Sequence, residues 1–298
     1  MVGNHIFFLV KKLNLYYNLC GCDFMNYSPV KMKELLEKHG FNLKKMYGQN
    51  FIVDENIINS IINVSNIDKD TLVIEIGPGA GSLTYKISEA AKEVICYEID
   101  TTLKDILSET LKDRNNVKII YNDFLKENIF DELKQHEYKK LYVVANLPYY
   151  ITTPIIVKII EDNINVDKMV LMVQKEVGDR FKAKPGTKDY SSLSIYLNYY
   201  FDVKKALDIS KNVFLPKPNV DSIVVEFTSK EKKELKNKEI FFKLVRDSFK
   251  QKRKTLRNNL KEYDLNKIEE VLKKYNYDLS VRAEHLDIDI FIDIANNL

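Results

Sequence analysis

Residues 71–100 read TLVIEIGPGAGSLTYKISEAAKEVICYEID. TLVIEIG (71–77) is apolar and β-branched and runs into a glycine turn. LTYKISEAA (83–91) spaces its apolar residues as a helix does, and EVICYEID (93–100) reads as a second strand. Two parallel strands need a crossover between them, which a helix of this length supplies. The alternation continues outward. A helical stretch (101–113) is followed by NVKIIYND (116–123), KLYVVANLPY (140–149), TPIIVKIIED (153–162) and DKMVLMVQKEVGDRF (167–181), the last a strand running into a helix. This pattern predicts an α/β fold, a parallel sheet with helices on both faces. SSLSIYLNYYFD (191–202) and SIVVEFTS (222–229) have no equally long helix between them and are expected to close the sheet as an antiparallel pair.

Past Lys230 the composition changes. KEKKELKNKE (230–239) is charge-rich, and IFFKLVRDSFKQ, LNKIEEVLKKYN and IDIFIDIANNL carry only helical periodicity. The expected organisation is a main α/β domain over residues 25–231 and a small all-α domain over 232–298. At the other end, IFFLVKKLNLYYNL (6–19) has its lysines inside the apolar run and is too short for the ~20 apolar residues of a membrane span. Ser28-Pro29 after Met25 reads as a helix entry, Ser28 as N-cap and Pro29 at the first position. Residues 1–24 are therefore expected to be an extension outside the main domain, from an upstream start codon.

Composition narrows the function. The 46 basic and 43 acidic residues leave a net charge of +3, which excludes a wholly basic nucleic-acid coat and an acidic disordered chain but allows a local basic face. Nine glycines and seven prolines exclude collagen-like and linker-dominated chains. Three cysteines, Cys20, Cys22 and Cys96, cannot make a disulfide framework or a four-cysteine zinc site, so no metal is expected and a reducing, cytoplasmic setting fits.

The chemistry gathers at strand ends, where ligands sit in such sheets. Gly77, Gly79 and Gly81 follow the first strong strand with spacing G-x-G-x-G, which is neither the dinucleotide fingerprint nor a P-loop. The second strand ends on Glu98, placed to accept both ribose hydroxyls of a nucleoside, and the third ends in Asn122-Asp123-Phe124, with Asp123 placed to accept from an adenine amino group. Taken together, these fit S-adenosyl-L-methionine, a nucleoside without phosphates, better than NAD.

The fourth strand ends in Asn146-Leu147-Pro148-Tyr149. An Asn/Asp-x-Pro-Tyr/Phe tetrad in this place resembles the target-amine site of N6-adenine methyltransferases. NLPYYITTPI (146–155), with GQNF (48–51) and EIGPGAGSLT (75–84), resembles the rRNA adenine dimethyltransferase superfamily. The resemblance implies a Rossmann-like class I methyltransferase sheet and adds Asn50, Ile52 and Asn146 to Gly77, Gly79, Glu98 and Asp123 as cofactor-binding residues. It also has a physical basis. An adenine amine is a poor nucleophile because its lone pair is delocalised into the ring. Acceptors on its two hydrogens, the Asn146 side-chain oxygen and the Leu147 carbonyl, would draw the nitrogen toward a pyramidal shape. Pro148 stiffens the turn, and Tyr149 offers a face on which an extruded base stacks. QKEVGDRF (174–181) makes Phe181 the expected second stacking wall, and FLPKPNVDS (214–222) resembles the element that follows the catalytic core in this superfamily.

One branch of that superfamily modifies two adjacent adenosines in the 3′-terminal hairpin loop of small-subunit (16S) rRNA; another modifies a large-subunit adenosine and confers antibiotic resistance. SFKQKRKTLRNNL (248–260) and RAEHL (282–286) are similar to the small-subunit, bacterial type, with Gln-Lys-Arg-Lys where Gln-Arg-Arg-Lys is common. The resemblance covers about residues 30–298. Lys250, Lys252, Arg253, Lys254 and Arg257, expected within about two turns of one helix, would hold phosphates without reading bases. The implied protein is a monomeric, cytoplasmic dimethyltransferase that uses S-adenosyl-L-methionine, meets its rRNA in an immature 30S particle, and needs no membrane and no metal. The rival class, a binding module that keeps the fold without the activity, is disfavoured by the intact tetrad with Glu98 and Asp123. A DNA N6-methyltransferase is disfavoured by the lack of a target-recognition domain.

Overall fold

A computed structural model describes residues 29–41, 49–148 and 150–298. The expectations for residues 1–24 and Ser28 lie outside the described residues, as does that for Tyr149. In chain order the elements are α1 (Pro29–Lys38), β1 (Phe51–Ile52), α2 (Glu55–Ser65), β2 (Thr71–Ile76), α3 (Ser82–Ala90), β3 (Glu93–Tyr97), α4 (Lys104–Thr110), β4 (Val117–Ile120), α5 (Ile129–Leu133), β5 (Lys140–Asn146), α6 (Thr152–Glu161), β6 (Lys168–Gln174), α7 (Lys175–Phe181), α8 (Ser192–Tyr200), β7 (Phe201–Ile209), β8 (Phe214–Leu215), β9 (Ser222–Ser229), α9 (Lys238–Ser248), α10 (Leu256–Asn259), α11 (Leu265–Lys274) and α12 (Ile288–Asn297). Among the described residues, no helix is long and apolar enough to cross a membrane.

The main sheet has the order β4-β3-β2-β5-β6-β9-β7. Its first five strands are parallel, and β9 and β7 add an antiparallel edge. Successive side chains on a strand point to opposite faces, and the core divides accordingly. Leu72, Ile74 and Ile76 of β2 pack on one side and Val73 on the other; Ile95 and Tyr97 of β3 join the first, Val94 and Cys96 the second. This double burial explains the near-continuous apolar reading of the parallel strands.

The edge differs from the sequence expectation. Residues 192–200 form helix α8, and the strand is 201–209. The backbone N–H of Ser191 donates to Ser194 Oγ at 3.2 Å, which starts the helix, and Ile195, Leu197, Tyr199 and Tyr200 are buried along it. FDVKKALDI lacks a clean strand alternation because β7 lies at the sheet edge, where Asp202, Lys204 and Lys205 face out. Such charges also discourage edge-to-edge pairing.

α9, α11 and α12 start on side-chain caps: Asn237 Oδ1 accepts from Ile240 N–H, Asp264 Oδ1 from Asn266 N–H, and Asp287 Oδ1 from Asp289 N–H. They share the core of one sheet face through α8. Tyr196 Oη donates to the Phe242 carbonyl at 2.9 Å, and the Tyr199 and Phe241 rings lie 5.4 Å apart.

His136 lies between two carboxylates, with Nδ1 2.9 Å from Glu93 and Nε2 2.9 Å from Glu132. Burial opposes its charge, but the two carboxylates outweigh this and raise its pKa above the ordinary value. A histidine whose pKa rises on folding stabilises the fold below its unfolded pKa and loses that contribution as pH rises through the folded one. His136→Gln is therefore expected to cost about 1–3 kcal/mol at pH 5.5 and much less at pH 9, measured by urea unfolding at both pH values.

Candidate active site

β2 and β5 are neighbours, with β3 and β4 on one side and β6 on the other, so the order reverses between them. That switch point opens a crevice at the strands' carboxyl ends. One cavity fills it, walled by the residues that follow β2, β3, β4 and β5 and roofed by the segment Gln49–Ile52. The glycine loop turns through left-handed backbone at Gly77, Gly79 and Gly81. At Gly79 a Cβ would also stand 3.0 Å from the Phe51 ring, so glycine is required twice over.

Glu98 reaches the cavity from the end of β3. Its Oε2 accepts from Gly79 N–H at 3.2 Å and its Oε1 from Asp100 N–H at 2.8 Å. Burial raises its pKa to about 7 against the pull of these donors. Asp123 Oδ1 accepts from Leu125 N–H at 3.0 Å, which holds the turn after β4. Phe124, beside it in the wall, is braced edge-on by Tyr97. Asn146 donates through Nδ2 to the Asn50 carbonyl at 2.8 Å. That bond fixes the amide's orientation and leaves Oδ1 as its acceptor. Leu147 N–H donates to the Met172 carbonyl at 3.2 Å, and the Pro148 carbonyl accepts from Ile151 N–H at 3.2 Å, so the turn after β5 is held at both ends.

Among the described residues, the wall contains Glu75, Glu98 and Asp123 and no Lys, Arg or His. It suits a ligand rich in hydroxyl and amine donors and repels phosphates. Gln49 Oε1 and Ser82 Oγ, both in the wall, are buried with no partner among the described residues. Buried polar atoms of that kind are normally satisfied, so the site fits a polar ligand. A phosphate-free nucleoside with an amino-acid tail meets these requirements.

A ribosomal RNA adenine dimethylase family model matches residues 40–298. The chain belongs to that family. Within it, a ribosomal RNA small subunit methyltransferase A of Macrococcus caseolyticus is 44% identical over 282 residues, 91% of this chain and 95% of the relative. One of Staphylococcus aureus is 49% identical over 240 residues, 79% and 81% of the two chains. The crystal structure of a dimethyladenosine transferase from Plasmodium falciparum superposes with TM-score 0.70 at 28% identity, covering 82% of this chain and 95% of that one.

In this adenine dimethylase the cofactor residues expected from sequence, Asn50, Ile52, Gly77, Gly79, Glu98, Asp123 and Asn146, all line the one cavity, as do Leu147 and Pro148. Phe181 does not. It is 1% exposed and packs against Phe227 with ring centroids 5.7 Å apart, so it is a core residue of α7 and the expected second stacking wall is corrected. The basic set is exposed, but Lys250, Lys252, Arg253 and Lys254 lie on turns between α9 and α10 and not along a helix, and only Arg257 is helical. No apolar residue stands between Phe249 and Leu256, so a helix there would have no face to bury. Asn259 Nδ2 ends α9 by donating to the Ser248 carbonyl. Lys252 and Arg253 border a hollow with Lys188 and Arg282, and Lys252 Nζ donates to the Lys188 carbonyl at 2.5 Å. Arg257 points elsewhere, 4.0 Å from Glu269.

Sequence reasoning missed Gln49, Ser82, Ile99 and Tyr150 as cavity residues. For Ser82 and Ile99 the signal was position, at the start of the helix after the glycine loop and directly after the strand-end carboxylate. Lys188 carried no signal, because only folding brings its loop to the tail.

Proposed function

We propose that the protein is an S-adenosyl-L-methionine-dependent methyltransferase that dimethylates N6 of two adjacent adenosines in the 3′-terminal hairpin loop of small-subunit rRNA, within an immature 30S particle. The observation that carries this reading is Asn146. Its Nδ2 is committed to the Asn50 carbonyl, so its Oδ1 serves as an acceptor in the same cavity as Glu98. The small-subunit target draws support from the names of the relatives at 44% and 49% identity, in preference to the large-subunit alternative.

The cofactor, when bound, supplies an electrophilic methyl group. Glu98 holds the ribose hydroxyls, and Asp123 accepts from the adenine amine of the cofactor. Asn146 Oδ1 and the Leu147 carbonyl accept the two hydrogens of the target amine and concentrate its lone pair toward the methyl. Catalysis is then mostly the fixing of three atoms in line, which the bonds at Leu147, Pro148 and Asn146 pre-set. The proton leaves to solvent after transfer, so no general base is needed. The deciding experiment is mass spectrometry of small-subunit rRNA from cells lacking the protein. Loss of both dimethyladenosines, restored by the wild-type gene, is expected; unchanged modification overturns the reading.

The tail loop is assigned to the RNA backbone. Changing Arg253 and Lys254 of the loop, together with Arg257 at its α10 border, to Glu is expected to weaken binding to immature subunits at least ~100-fold at low salt and to flatten its salt dependence. Cofactor affinity should stay as in wild type. Normal methylation rates at subsaturating subunits would reduce the loop to a solvated surface.

A further inference from the structure

The mechanism above leaves one buried carboxyl group of the cavity unused. Glu75, on β2, is 1% exposed and stands in the cavity wall. The groups facing it are the Cys96 thiol of β3, whose Sγ is 3.8 Å from Glu75 Oε2, the Thr84 hydroxyl of α3, and Glu98 at the end of β3. None of these is a cation, and among the described residues the wall around them holds none. Lys126, an exposed side chain outside the wall, stands 3.8 Å from Asp123. A carboxyl group so placed keeps its proton: burial, with the Glu98 charge adding to it, pushes Glu75 up to about 8, and the nearby Thr84 hydroxyl and the Cys96 thiol recover only part of that.

We propose that Glu75 reads the charge of the occupant: it stays protonated while the cavity is empty or holds the neutral thioether product, and it releases its proton to solvent when the sulfonium cofactor enters. The proposal rests on the cofactor reading given under Proposed function. The cofactor and its demethylated product differ by one positive charge at sulfur, and a wall with three carboxyl groups and, among the described residues, no basic side chain is where that difference counts most. Methyl transfer removes the charge, Glu75 takes a proton back from solvent, and the product loses its counter-charge. The wall thereby favours the substrate form of the ligand over the spent form, increasingly so as pH rises toward 8.

The test is calorimetry on the full chain at pH 7, in buffers of different ionisation heat, with S-adenosylmethionine and with S-adenosylhomocysteine. The sulfonium ligand is expected to release nearly one proton more than the thioether. The ratio of their affinities should climb by up to about tenfold per pH unit between pH 6 and 8. Glu98 sheds its proton for either ligand and cancels in the difference. Glu75→Gln should remove both effects. The wild-type comparison stands even if that variant does not fold, and an analogue with a protonated amine in place of the sulfonium should then behave as the sulfonium does. Equal proton release by all three ligands overturns the proposal and leaves the cofactor reading intact. Binding of none of them overturns both.

Discussion

Glu98→Ala is expected to abolish detectable binding of S-adenosylmethionine while the protein still unfolds as a cooperative unit. The carboxylate is held from behind by Gly79 and Asp100 N–H groups, so its remaining lone pairs face the cavity in a fixed direction. Two charge-assisted hydrogen bonds to ribose hydroxyls are together worth about 3–6 kcal/mol, which takes a micromolar ligand beyond the reach of calorimetry. Glu98→Gln keeps the shape and loses the charge, and should fall between wild type and Ala. The pH profile gives an independent check. Burial raises the Glu98 pKa to about 7 in the empty protein. A group that must ionise to accept both hydroxyls makes affinity fall as pH drops below that value. Wild type should therefore bind more weakly at pH 6 than at pH 8 with either cofactor or product, and Glu98→Gln should lose that part of the slope. Unchanged affinity in the alanine variant would remove Glu98 from the site.

Asn146→Ala should leave cofactor affinity within a few-fold of wild type and cut turnover by about a hundredfold or more, the usual cost of removing an acceptor used in the transition state. The Asn50 carbonyl loses its donor in the same variant, so the roof segment is loosened as well. Measuring cofactor affinity beside turnover separates the two consequences. A large fall in turnover at constant affinity assigns the loss to the target amine. Turnover near wild type would end the acceptor role.

How far the sequence spoke for itself depended on whether local chemistry or distant packing set each position. Gly77, Glu98, Asp123 and Asn146 were legible because each sits at the end of an apolar strand, where the polypeptide itself marks the turn. The roof was legible only as a motif. Gln49 donates to Asp100, 51 positions on, and Asn50 accepts from Asn146, 96 positions on, and no local pattern encodes either bond. Phe181 was misplaced because an aromatic on an amphipathic helix looks the same whether it faces a ligand or Phe227. Residues 191–202 misled for a similar reason: SIYLNYY is rich in residues that suit strands, yet Ser191 and Ser194 cap a helix there and the core takes its aromatic face. In the tail, charge was legible and shape was not, since lysine and arginine report what a loop attracts but not how it turns.

The tail and one face of the sheet pack around a common interior, joined through Tyr196, Tyr199 and Phe241. A shared interior of this kind opposes hinging between the part assigned to the RNA backbone and the part assigned to the base. Under those assignments the molecule would work as a fixed caliper. The gap between its jaws would be set at folding, and an adenosine would be chosen by how far it stands from the gripped backbone. Heating should accordingly melt both jaws in one transition, and a mutation in the shared interior should blunt the gauge and the grip together.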